Sequence, residues 1–146
     1  MSEQTAGSNT LLEDCIEKIE SAYEYMLAYA AQGRKNEPAE TEGADSIRAF
    51  LKSLVWGISN IGTGFEESTK TLGLNETSAQ EVENFKNILK RDAESALAVV
   101  ALVLNVPSLS SQVIDNLNAS THVRSLLTDI FVMDEVLKIH QQHSAG

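Results

Sequence analysis

Residues that break or cross-link a chain are scarce in this sequence, which has two prolines and one cysteine among its 146 residues. With so few prolines, helices can run far without interruption. The β-branched residues do not fall into alternating runs, which argues against a sheet. Cys15 has no second cysteine, so an intramolecular disulfide is excluded. We therefore expect a helical protein in a reducing compartment, the cytoplasm.

Positive charge is also scarce, because 11 Lys and Arg residues face 21 Asp and Glu residues, giving a formal net charge of -10. Such a chain is repelled on average by nucleic-acid phosphates and by anionic membrane surfaces. Its longest strongly apolar run, 96–104, is about half of the roughly 20 residues that a membrane span needs. The N-terminus shows no secretory signal pattern. We expect neither nucleic acid nor membrane as a partner.

The residue patterns of common enzymes and metal proteins are missing. There is no Glu-x-x-His pair for a di-iron bundle and no His-Glu-x-x-His for a zinc hydrolase. No serine has a histidine and an acid at a recognisable spacing. His140 and His143 are spaced for one metal ion, but the end of a helix favours imidazoles by itself. The sequence predicts no catalytic residue, cofactor or metal site, and a protein that is not an enzyme.

Helical periodicity is the strongest positive signal, and it centres on residues 78–106. Ser78 and Glu81 match a capping box, in which each side chain satisfies a backbone N–H of the other residue. Apolar residues then recur every three or four positions. Pro107 ends the pattern because it disfavours helical geometry in the residue before it. This segment is the expected central helix.

Two further helices precede it. Thr10 and Glu13 form a second capping-box pattern, and the helix that follows is expected to stop at Gly33. Asp45 is the expected N-cap of the next helix, which has Gly73 as its expected end. The short link to the central helix implies that these two neighbours are antiparallel.

Helical spacing returns over 108–142 and is interrupted at 118–121 by poor helix formers. The expected fold is an all-α, antiparallel four-helix bundle whose fourth helix is either kinked or split near 118–121. Residues 10–143 are expected to form a single domain after a flexible tail at 1–9. An acidic loop is expected at 34–44.

A stripe of small residues in the second helix is the most unusual local feature, formed by Ser53, Gly57, Asn60 and Gly64 at three- and four-residue spacing. Two glycines inside a helix each cost roughly 1 kcal/mol relative to alanine. Either another backbone packs closely on this face, or the face is a groove for a ligand or partner helix, or the helix breaks there. We predict that the four residues line an interface or ligand groove.

Tyr25 and Tyr29 form an i, i+4 pair on the first helix and are predicted to extend that interface. The alternative is that both rings lie against the acidic loop or a neighbouring helix. Asp92 sits beside the core seam of the central helix, where it either reaches solvent or pairs with Arg48 or Arg91. Asp134 has the same ambiguity.

These patterns favour a non-enzymatic protein–protein interaction module, an adaptor, regulator or assembly factor that forms a homodimer and has another protein as its partner. The alternative is a small-ligand-binding or sensor bundle with a pocket along the small-residue face of the second helix.

Overall fold

The computed structural model describes residues 9–37 and 46–145, and within those ranges it contains five α-helices and no strand. In chain order they are α1 (Leu11–Ala30), α2 (Ile47–Lys70), α3 (Glu76–Leu104), α4 (Ser111–Asn118) and α5 (Thr121–Ala145). The predicted all-α class is confirmed. Residues 1–8 of the predicted tail and 38–44 of the predicted acidic loop lie outside the described residues. None of the five helices has both the length and the apolar character needed to cross a membrane.

α1 begins as the sequence predicts. The Glu13 N–H donates to Thr10 Oγ1 at 3.1 Å, and the Thr10 N–H donates to Glu13 Oε1 at 2.9 Å. The helix ends at Ala30, and Gly33 then has a φ of 67°, a left-handed backbone that favours glycine. Local sequence alone therefore accounts for both ends of α1.

α2 and α3 begin at caps other than the predicted ones. Ser46 rather than Asp45 caps α2, and its side chain accepts a hydrogen bond from the Ala49 N–H; Asp45 itself lies outside the described residues. Asn75 caps α3 and accepts from the Ser78 N–H at 2.7 Å. The predicted capping box at Ser78 is wrong, because Asn75 already supplies the cap and the helix starts one turn earlier.

The last helical segment is split, which was one of the two predicted alternatives. α4 ends at Asn118 and α5 starts at Thr121. Asn118 is buried, and its Nδ2 donates to the Met26 carbonyl of α1 at 3.2 Å. The end of α4 is thus held by α1 rather than continued into α5.

In three pairs of long helices, residues toward the start of one helix lie near residues toward the end of the other. Buried residues from all five helices join one hydrophobic core. The residue pairs that show this are Leu12–Gly64 and Tyr25–Phe50 for α1–α2, Phe65–Phe85 and Arg48–Leu104 for α2–α3, and Phe85–Met133 and Asp92–Asp129 for α3–α5.

The Arg48 side chain ties three segments together at one end of the molecule. Its Nε and Nη2 donate to the two carboxylate oxygens of Glu37 at 2.8 and 2.9 Å. Nη1 donates to the Leu104 carbonyl at 2.7 Å, and Nη2 to the Val106 carbonyl at 2.9 Å. The pKa of Glu37 is held below its usual value, chiefly by the hydrogen bonds from Arg48. Arg48 is therefore committed to Glu37, and the predicted alternative of pairing with Asp92 is wrong.

A second set of hydrogen bonds fixes α4 against α1. The buried Tyr29 hydroxyl donates to the Leu109 carbonyl at 2.6 Å, and Ser111 Oγ donates to the Tyr29 carbonyl at 2.7 Å. The Ser111 N–H donates to the Arg34 carbonyl, and the Arg34 N–H donates to Ser111 Oγ, both at 2.8 Å. The chain that follows α1 is therefore anchored to the start of α4.

Replacing Arg48 with alanine is expected to lower the free energy of unfolding by about 2 kcal/mol, since hydrogen bonds to charged groups contribute about 1.5–3 kcal/mol. Lys52→Ala, an exposed change one turn further along α2, is the matched control and should cost under about 0.5 kcal/mol. Urea unfolding followed by circular dichroism measures both. Equal losses in the two variants would show that the Arg48 contacts do not stabilise this end.

Candidate functional site

The two glycines of the small-residue stripe face α1, which packs closely against both of them. A Cβ added at Gly57 would lie 2.8 Å from Ile19 Cγ1 and 3.0 Å from the Cys15 carbonyl oxygen. One added at Gly64 would lie 2.9 Å from Leu12 Cα. Gly57 and Gly64 thus follow the close-packing alternative, because the α1 backbone occupies the space that a ligand or partner helix would need.

Ser53 and Asn60 lie half-buried on α2. The Asn60 side chain bonds within its own helix, where Nδ2 donates to the Trp56 carbonyl at 2.9 Å. The structure does not bring these two residues and the glycines together around one cavity. That Ser53 and Asn60 take part in an interface stays a prediction.

Neither predicted tyrosine presents a fully open ring. Tyr29 is 2% exposed and belongs to the core, so it lies inside the fold rather than on a partner surface. Tyr25 is half-buried and stacks on Phe50 of α2, with ring centroids 4.2 Å apart and planes 11° apart. The tyrosines follow the alternative in which they lie against a neighbouring helix.

The largest concentration of exposed apolar side chains lies on α5, a region that the sequence analysis did not single out. One side of this helix fills the core through residues such as Ile130, Met133 and Leu137. A different side exposes four large apolar residues, here called the α5 apolar face: Phe131 at 59%, Val132 at 53%, Val136 at 43% and Ile139 at 47% exposure. Val132, Val136 and Ile139 are spaced by four and three residues in the sequence. The core residues of the same helix have similar spacing, so the periodicity was interpreted as a core seam alone.

An apolar groove runs beside this face, between the first half of α3 and the second half of α5. It has a volume of about 160 Å³. The Phe65 ring meets the Phe85 ring edge to face at its base, with centroids 5.5 Å apart. The complete lining, here called the α3–α5 groove, is Phe65, Ser78, Glu81, Val82, Phe85, Val132, Met133, Val136, Leu137 and His140. Val132 and Val136 belong to both features, so face and groove form one continuous apolar surface.

A larger cleft of about 460 Å³ lies between α2 and α3. Its lining includes four charged side chains, those of Glu66, Lys86, Lys90 and Glu94. It borders Gly62 rather than the predicted stripe. Its lining combines these charged groups with apolar residues such as Ile58 and Leu97.

Asp92 of α3 faces Asp129 of α5, so its neighbour is an acid rather than either predicted arginine. Burial, followed by the hydrogen bond and the charge of Asp92, raises the pKa of Asp129 from 3.8 to about 7. Asp129 Oδ2 is buried and has no hydrogen-bond partner among the described residues. A protonated Asp129 can donate a hydrogen bond to the Asp92 carboxylate. Asp134, by contrast, pairs with Lys138 at 3.1 Å.

Comparisons of the chain with known protein families, curated proteins and solved structures found no match. The candidate site is therefore the surface that the geometry marks out, namely the α5 apolar face with the α3–α5 groove. Its side chains are apolar apart from Ser78, Glu81 and His140 at the groove. Such a surface is suited to binding other apolar side chains.

The close contact at Gly57 predicts opposite effects for two alanine substitutions in α2. Gly57→Ala should destabilise the protein by about 1–3 kcal/mol, because the new methyl group collides with Ile19 and the Cys15 backbone. Gly62→Ala is the matched control, since nothing lies within 4 Å of its added Cβ, and it should stabilise by about 0.5–1 kcal/mol. Chemical denaturation measures both changes. Equal tolerance of the two alanines would contradict the close packing of α1 on α2.

The acid pair predicts a pH dependence of stability. Because the folded-state pKa of Asp129 is raised from 3.8 to about 7, the folded protein holds a proton that the unfolded chain releases. The contribution of this group is complete below pH 3.8 and is lost as the pH rises through 7. The melting temperature should therefore fall between pH 5 and pH 8.

Asp129→Asn should flatten this slope and raise the melting temperature at pH 8, because the amide is uncharged and donates to Asp92 at every pH. Asp115→Asn, at an exposed acid on α4, is the control that leaves the slope in place. A slope that persists unchanged in Asp129→Asn would assign the pH dependence to other groups.

Proposed function

We propose that this chain is a non-enzymatic protein–protein interaction module, of the kind that serves as an adaptor, a regulator or an assembly factor, and that it works as a homodimer. The observation that carries the proposal is the α5 apolar face, on a helix whose other side fills the core. The scaffold in this proposal is an antiparallel four-helix bundle of α1, α2, α3 and α5. The absence of catalytic residue patterns from the sequence supports the non-enzymatic part.

Energetics support a docking role for this face. Burying apolar surface contributes roughly 25 cal/mol per Å², so each half-exposed side chain that a partner covers adds on the order of 1 kcal/mol. Single exposed apolar residues are ordinary, but several on one stripe beside an apolar groove form a contiguous patch. Phe131 adds an aromatic ring, a residue type enriched at the centres of interfaces.

The small volume of the α3–α5 groove favours a protein partner over a small ligand at this surface. The α3–α5 groove, at about 160 Å³, is smaller than the roughly 300–1,000 Å³ of most ligand sites. On the small-residue face of α2, the α1 backbone already packs at Gly57 and Gly64. A shallow groove flanked by an apolar helix face is typical of surfaces that accept another helix.

The distribution of charge supports self-association through α5. Residues 11–30 of α1 carry five acids and one lysine, a net charge of -4. Residues 121–145 of α5 carry three acids, one lysine and one arginine, a net charge of -1 with His neutral. Two copies that meet through α5 therefore bring together helices of low net charge, which limits repulsion between two chains of net charge -10.

The test is the molar mass in solution of the wild type and of Val136→Lys, by light scattering on a size-exclusion column over a range of concentrations. The wild type should reach twice the mass of the chain, and Val136→Lys should remain monomeric because a charge then lies in the apolar contact. Leu102→Lys is the matched control and should still dimerise. Leu102 is 74% exposed on α3 and lies about 15 Å along that helix from Asp92, the residue of α3 that faces α5. A wild type that is monomeric at every concentration would remove the homodimer from the proposal.

A further inference from the structure

A charged residue, Glu135, lies among the residues of the α5 apolar face. Phe131, Glu135 and Ile139 are spaced by four residues and therefore lie along one side of α5. Glu135 is exposed, and its two neighbours on this stripe are 59% and 47% exposed. A partner that covers these apolar neighbours also removes water from the Glu135 carboxylate. Because an unpaired buried carboxylate is costly, the partner must supply a cation at this position.

A second copy of the same helix supplies both the apolar stripe and the cation. Val132, Val136 and Ile139 follow the i, i+4, i+7 pattern by which one helix anchors on another. Lys138 lies three residues after Glu135, within one turn of Val136 and Ile139 and within two turns of Val132. Within two turns, α5 thus carries both the apolar residues and the cation that a partner of this face must supply.

We propose that two copies of this chain pair their α5 helices antiparallel, about a two-fold axis close to Val136, with Glu135 of each copy opposite Lys138 of the other. In an antiparallel pair, residues equally distant from the axis face each other. The midpoint of Val132 and Ile139 is position 135.5, and the midpoint of Glu135 and Lys138 is position 136.5. The two midpoints lie on either side of Val136 and are one residue apart, about 1.5 Å along the helix, so an axis at Val136 leaves both sets within side-chain reach.

Lys138 is available for this exchange. In the single chain its Nζ lies 3.1 Å from Asp134 Oδ2, and the two side chains are 60% and 40% exposed. Exposed pairs of this kind contribute little stability and are strongly hydrated. Lys138 can therefore turn toward Glu135 of the second copy while remaining near Asp134 of its own chain.

This pairing rests on the proposed self-association, and a charge exchange tests it separately. Glu135→Lys places two lysines together at each of two symmetric positions, and Lys138→Glu does the same with glutamates. Each single change should raise the dissociation constant of the dimer about tenfold. The double variant Glu135→Lys, Lys138→Glu restores opposite charges and should return the constant to near the wild-type value. Sedimentation equilibrium measures all four proteins.

Glu94→Lys, at an exposed site on α3, is the control with the same change of net charge as Glu135→Lys, and it should leave dimerisation unchanged. Val136→Cys supplies an independent geometric readout, since identical residues beside the axis come close enough to form a disulfide, while Cys15 is buried. Failure of the double variant to recover, or no cross-linking by Val136→Cys in a protein that still dimerises, would overturn the pairing and leave the homodimer. A monomeric wild type would overturn both.

Discussion

The guanidinium of Arg48 is the interaction on which one end of this molecule depends. The final carbonyl groups of a helix have no hydrogen-bond donor within that helix. From the first turn of α2, Arg48 donates to the Leu104 carbonyl at the end of α3 and to the Val106 carbonyl just beyond it. A cation in the first turn of a helix is unfavourable for the helix dipole, and the carboxylate of Glu37 offsets this. Glu37 in turn accepts the Leu109 N–H at 3.1 Å. One side chain thereby sets the relative positions of α2, α3 and the segment that leads into α4.

The helices are not equally enclosed. Glycines let the backbones of α1 and α2 approach closely, and α4 is bound to α1 by polar groups from both chain segments. α5 packs chiefly on α3. Since α5 is apolar on more sides than its neighbours cover, part of its surface remains in water. The exposed face is therefore a consequence of how the rest of the core is arranged, and not of an unusual composition of α5.

Features that depend on near neighbours in the chain could be predicted from the sequence. The seams of the long helices, the Thr10 cap, the Gly33 stop and the interruption after Asn118 all arise from residues within a turn or two. The Asn75 cap was not predicted, because Ser78 and Glu81 one turn later match a capping box. Helix boundaries are decided by small differences of this kind.

Features that depend on distant residues could not be predicted. Asp92 and Asp129 are 37 positions apart, and nothing in either segment signals the other. The face of the small-residue stripe was recognised, but which helix covers it is a property of the tertiary fold. The same holds for Arg48, whose partner Glu37 lies in a stretch without periodicity. The candidate site was the hardest part, because an interface and a core seam have the same spacing on a helix.

The raised pKa of Asp129 has a consequence for heat measurements on this protein. Between pH 4 and pH 7 the folded state holds a proton that the unfolded chain does not, so unfolding transfers it to the buffer. The heat absorbed on melting then includes the ionisation enthalpy of whichever buffer accepts the proton. Two calorimetric scans at one pH, in buffers of different ionisation enthalpy, will differ by an amount that counts the protons released.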